Sequence, residues 1–174
     1  VPVVVAVVIL VNVLGGDAGD DGTDAEGPAE IDGTSAPQRA DLPPLPVTVP
    51  PAPAEAVEPC EAVMRSLPLE LAGEPSRPVD SDSPFVYAWG EPPVVLVCGV
   101  DRPAGWTLGA SAIQINGVQW YVDTSDPGTT TWTTVDRPVH VEVRLPASVD
   151  SAPVTALTAE LGQALPYQEP DPGE

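Results

Sequence analysis

Residues 112–122 read AIQINGVQWYV, and this stretch decides the fold class. Asn116-Gly117 is the dipeptide that tolerates positive φ at both central positions of a type I′ turn. Counting outward pairs Ile115 with Val118, Gln114 with Gln119, and Ile113 with Trp120. Apolar side chains then oppose apolar ones on one face, and the two glutamines meet on the other. Turn chemistry and register agree, so a β-hairpin is predicted, and with it an antiparallel sheet.

The neighbouring segments extend that sheet. Upstream, Ser83–Trp89 (SPFVYAW) and Val94–Cys98 (VVLVC) read as strands separated by Gly90–Pro93. Downstream, Thr129–Val135 is threonine-rich and strand-like. Val139–Leu145 alternates strictly, with Val139, Val141, Val143 and Leu145 inward and His140, Glu142 and Arg144 outward. Two helices flank the strands. Glu61–Leu67 carries good helix formers, places Val63 and Leu67 four apart, and is stopped by Pro68. Ser151 caps the second, Pro153 sits in its first turn, and Val154, Leu157, Leu161 and Ala164 or Leu165 form its apolar stripe up to Pro166. The expected fold is α+β: a mostly antiparallel sheet of five or six strands, with two helices on one face and one disulfide.

That disulfide joins the only two cysteines, Cys60 and Cys98. Their spacing fits neither a CxxC redox pair nor a zinc ligand set, and in an exported chain an even pair reads as a structural bridge.

Outside 60–166 the chain changes character. Residues 1–14, VPVVVAVVILVNVL, carry no charge. A helix of that length spans roughly 21 Å, short of the ~30 Å hydrocarbon core. The run reads as a truncated transmembrane anchor or signal segment. An uncleaved single-span anchor is preferred, although Gly16 and Ala18 offer a small-x-small cleavage pattern. The lysine-free remainder is expected outside the membrane by the positive-inside rule; the alternative is secretion after signal cleavage. Residues 15–59 hold ten acids, one arginine and nine prolines, and read as a disordered acidic and Pro-rich linker. An EF-hand is excluded there by Gly19 and Pro28 at ligand positions of a loop begun at Asp17. Pro43–Pro46 is only a loose PxxP pattern. Residues 167–174 add three acids and read as a disordered tail.

The 174-residue chain has a formal charge of −20, but thirteen acids and five arginines leave only −8 on 60–166. The acidity therefore describes tether and tail more than a binding face. It still excludes nucleic acid as a direct partner, because phosphate recognition needs clustered positive charge.

Cys60 with Leu67-Pro68, Trp89-Gly90, Cys98-Gly99-Val100, Asn116-Gly117-Val118 with Trp120, Asp136-Arg137-Pro138 and Leu165-Pro166 form an ordered set. In that order and spacing the chain resembles an actinobacterial family catalogued as domain of unknown function 3515. The resemblance covers about 60–166 and the hydrophobic start. It implies a membrane-anchored or secreted envelope protein and carries over no catalytic or binding residue.

Motifs for chemistry are sparse. His140 is the single histidine, and the enzymatic alternative is an envelope hydrolase using His140 with a nearby carboxylate. No G-x-S-x-G, P-loop or dinucleotide fingerprint occurs, and no cofactor or metal is implied. Val-Asp-Arg-Pro occurs at 100–103 and again at 135–138. If adjacent in space, Arg102 and Arg137 would cradle an anionic group; otherwise each serves turn and strand-end chemistry. Four tryptophans fall within 44 residues, with Trp89 and Trp120 at core positions and Trp106 and Trp132 as candidates for exposure. The leading expectation is a non-enzymatic binding or scaffolding module of the cell envelope. Its candidate cleft comprises Arg102, Arg137, Trp106 and Trp132, facing an envelope glycan or a protein partner, with the N-terminal segment in the membrane.

Overall fold

The computed structural model describes residues 42–174. The 1–14 anchor reading and most of the 15–59 linker reading fall outside those residues. Among the described residues no helix is long and apolar enough to cross a membrane.

The hairpin forms in the predicted register. Strand β7 (Ile113–Ile115) pairs with β8 (Val118–Asp123) as Ile113↔Trp120, Gln114↔Gln119 and Ile115↔Val118. The turn residues take φ of 44° at Asn116 and 82° at Gly117. Around this hairpin the other strands are β1 (Leu45–Pro46), β2 (Glu70–Leu71), β3 (Glu74–Arg77), β4 (Val79–Asp80), β5 (Val86–Trp89), β6 (Val94–Val100), β9 (Thr129–Thr134) and β10 (His140–Pro146). Helix α1 spans Val57–Ser66, after a 3-10 turn at Ala54–Ala56, and α2 spans Ala152–Ala164.

Eight strands build one antiparallel sheet in the order β2-β3-β5-β6-β10-β9-β8-β7, and β1 pairs with β4 in a separate parallel ribbon. The expected five or six strands are thus corrected upward. The additional ones are short, and β3 carries Pro75, which breaks the alternation that marks a strand.

Period-two burial divides the sheet into two faces. Val94, Leu96 and Cys98 of β6 join one core with Tyr87 and Trp89 of β5, and with Val141, Val143 and Leu145 of β10. Helix α1 contributes Cys60 and Val63 to this core; α2 contributes Val154, Leu157 and Leu161, followed by Leu165. The predicted α2 stripe is therefore the buried one. Its N-terminus differs in detail. Ser151 makes no side-chain cap, and Asp150 Oδ1 accepts from the Ala152 N–H at 2.9 Å instead.

The alternate residues Val86, Ala88, Val95 and Val97 form a second apolar cluster, covered by Val47 with Leu45 and Val49. The Pro-rich stretch expected to be a free linker is thus part of the fold from Leu45 onward. Strand β6 has both faces buried, which explains why VVLVC is apolar throughout instead of alternating.

Cys60 and Cys98 are bonded, tying α1 to the central strand β6. Gly99 follows with φ of 84°, and a Cβ there would lie 2.8 Å from Ala52 Cβ and 3.4 Å from Cys60 Sγ. Glycine is what allows the bridged elements to approach this closely.

Candidate functional site

The four residues nominated by the sequence separate into two environments. Arg137 and Trp132 are interior residues, 6% and 9% exposed. The guanidinium of Arg137 donates from Nη1 to its neighbour's carbonyl, Asp136 O, at 2.8 Å and from Nη2 to Gly117 O at 3.0 Å. Nη1 also lies 3.1 Å from the Asp136 carboxylate, itself 1% exposed. Burial pushes the Asp136 carboxyl above the usual carboxylate range, opposed by the Gln119 backbone N–H and the Arg137 charge. Arg137 therefore bolts the β7–β8 turn to the end of β9. Trp132 meets Trp120 edge to face at 6.4 Å within the core. Its expected exposure is corrected: β9 turns this side chain onto the helix-covered face.

Arg77, on β3 at the other end of the sheet order, does similar work. It is 7% exposed, pairs with Glu91 at 2.5 Å, and donates to Gly90 O and Pro43 O at 3.3 Å each. Arg77-Pro78, Arg102-Pro103 and Arg137-Pro138 are three Arg-Pro steps. Proline keeps each arginine extended, and each guanidinium then reaches main-chain carbonyls. The recurring dipeptide was the signal for Arg77. Among the described residues the two Val-Asp-Arg-Pro copies share no partner: Arg137 is buried on Gly117 O and Asp136, whereas Arg102 faces Asp171.

Arg102 is the different one. Its side chain is 45% exposed and stands at the start of a compact loop after β6. That loop turns through Pro103 O accepting from Trp106 N–H at 2.9 Å, Gly105 O from Thr107 N–H at 3.1 Å, and Thr107 O from Ala110 N–H at 2.9 Å. A Cβ at Gly105 would overlap the Tyr121 hydroxyl, so glycine lets the loop lie against β8. Trp106 is 6% exposed, which corrects its expected exposure; its ring meets Tyr121 at 5.9 Å, and its indole N–H has no acceptor among the described residues.

One edge of this loop is occupied by residues 167–174, whose acidic composition predicts a disordered tail. The Gln168 N–H donates to Asp136 O at 2.9 Å, and the Gly173 N–H to Trp106 O at 2.9 Å. Gly173 O in turn accepts from the Leu108 N–H at 3.0 Å, forming a parallel bridge opposite Thr107. Arg102 Nη1 lies 3.5 Å from Asp171 O and 3.8 Å from its carboxylate. Three main-chain hydrogen bonds hold residues whose side chains are otherwise largely exposed. The exposed ion pair adds little. This segment is among the weakly held parts of the fold.

His140 is half-buried, and its Nδ1 lies 2.7 Å from the Thr134 carbonyl, so that nitrogen carries the proton and donates. No side-chain carboxylate or hydroxyl among the described residues is hydrogen-bonded to the ring. The neighbouring outward residue Glu142 is engaged by Arg144 at 2.6 Å. The carboxylate that a His140-based hydrolase would use is not placed on it.

The sequence model of a family described as "Protein of unknown function (DUF3515)" matches residues 3–170. No curated protein and no solved structure matches the chain.

Proposed function

The chain belongs to the DUF3515 family, and on that footing we propose that it is an extracytoplasmic, membrane-tethered, non-enzymatic binding module of the cell envelope. The observation that carries this reading is the Cys60–Cys98 bridge, built into the core between α1 and β6. Bridges of this kind form and persist in oxidising compartments. The uncharged 1–14 run supplies the tether, and the acidic stretch after it keeps the domain away from an anionic surface.

Between a glycan and a protein partner, the burial of Trp106 and Trp132 favours protein. A sugar ring stacks on an open aromatic face, and neither indole presents one. One loop instead presents an exposed cation, Arg102, and an exposed apolar side chain, Leu108 at 75%. Fractionation with protease treatment of intact cells tests the reading. The full-length protein is expected in the membrane fraction and to be cleaved by protease added outside. Recovery in the soluble cytoplasmic fraction, protected until lysis, would overturn it.

A further inference from the structure

The loop from Arg102 to Leu108 already holds one extended acidic segment, and its means of holding it are not particular to that segment. The contacts at Gly173 are main-chain on both sides, to Trp106 O and from the Leu108 N–H. Backbone pairing of this kind accepts any extended chain, as in strand addition to a sheet edge. Selectivity comes from two side chains. Arg102 faces the Asp171 carboxylate at 3.8 Å, which favours an acidic residue two positions before the paired one. Its Nη2 would lie 3.3 Å from a Cβ at position 173, so a small paired residue fits without moving the guanidinium. Leu108, 75% exposed, offers apolar surface beside the bonded edge. The buried indole N–H of Trp106, at the same loop, has no acceptor among the described residues.

We propose that the Arg102–Leu108 edge is a docking site for an extended acidic peptide of a partner protein, with residues 171–173 as its resident intramolecular occupant. This deepens the binding-module reading and rests on it. The occupant lowers the apparent affinity for the partner by the fraction of time it is seated, so loosening it strengthens docking in trans. A partner segment with an Asp-x-Gly pattern reproduces each contact named above. Arginine is suited to this task because its planar fork serves a carboxylate and a carbonyl together.

The test uses the full oxidised chain, isotopically labelled, with an acetylated and amidated peptide of residues 169–174 as probe. The Leu108 amide and the Trp106 indole signals are followed during titration. Saturable shifts at both are expected. The Gly173→Pro chain lacks the N–H that reaches Trp106 O and should bind the peptide roughly tenfold tighter. In the Gly173→Pro chain, where the occupant no longer offsets the change, Arg102→Gln should weaken binding roughly fivefold or more, as should Asp→Asn in the peptide. Absence of saturable shifts in both the unaltered and the Gly173→Pro chains would overturn the proposal. So would binding to the Gly173→Pro chain that Arg102→Gln leaves unchanged. A concentration-dependent dimer with the same shifts and no peptide would replace the partner by a second copy, and would overturn it too. None of these failures touches the compartment assignment, which fractionation tests separately.

Discussion

Replacing Arg137 by Met removes a guanidinium that is 6% exposed and leaves the Asp136 carboxylate, 1% exposed, without its counter-charge. Methionine fills similar length without a donor, so Gly117 O also loses its 3.0 Å partner. Breaking one side of a buried ion pair costs about 3–5 kcal/mol at neutral pH. The pH dependence follows from Asp136. Burial already raises its pKa in the folded state, and loss of the arginine raises it further. A carboxyl whose folded pKa exceeds its unfolded value stabilises the fold fully below the unfolded pKa, about 4. That contribution is lost as pH rises through the folded value. The deficit of Arg137→Met should therefore be smallest near pH 4 and grow toward neutrality. Asp136→Asn with Arg137→Met removes the stranded charge, and should recover at least half of the deficit at pH 7 with little dependence on pH. Urea unfolding with the disulfide intact, at several pH values from 4 to 8, measures all three chains. A loss below about 1 kcal/mol at pH 7, or a deficit that does not vary with pH, would refute the reasoning.

Three further outcomes follow from the core. Thr158→Val removes the acceptor at 3.2 Å from Trp120 Nε1 and should cost about 1–3 kcal/mol in urea unfolding, more than Thr158→Ser, which keeps the hydroxyl. Reducing the bridge frees a loop of sequence separation 38 and should lower stability by about 4 kcal/mol, seen as a shift in the urea midpoint. Gly105→Ala places a methyl on the Tyr121 hydroxyl and should lower the thermal midpoint, with Tyr121→Phe restoring part of the loss.

Periodic signals in the chain were legible because periodicity is what burial writes into sequence. The Asn116-Gly117 turn set the hairpin register, the Val139–Leu145 alternation set the inward face of β10, and the Val154–Leu161 stripe set the buried side of α2. Strands β2 to β4 lacked such a signal. They are two to four residues long, β3 carries Pro75, and β4 pairs with β1, distant in sequence. The Pro-rich stretch misled for a related reason. Extended, proline-spaced chain has the composition of a linker, yet Leu45, Val47 and Val49 alternate onto the second face of β5 and β6. The unbroken apolar run of β6 was the available hint that this face needed a cover. For the candidate site, Arg102 was legible as an exposed cation, but residues 171–173 beside it were not. Main-chain hydrogen bonds leave no mark on side-chain composition. Trp106 and Trp132 were misplaced because a loop and a threonine-rich strand look solvated, although each indole turns inward against an aromatic neighbour.

The proposal that this domain works outside the cytoplasm requires Cys60 and Cys98 to be joined in the cell. Thiol trapping in the native host tests it most directly. Cells are quenched in acid, free thiols are blocked with N-ethylmaleimide, and the protein is then reduced and labelled with a maleimide polymer that retards it on a gel. Two polymer additions are expected after reduction and none without it. Blocking of both cysteines before reduction, leaving nothing to label, would contradict it.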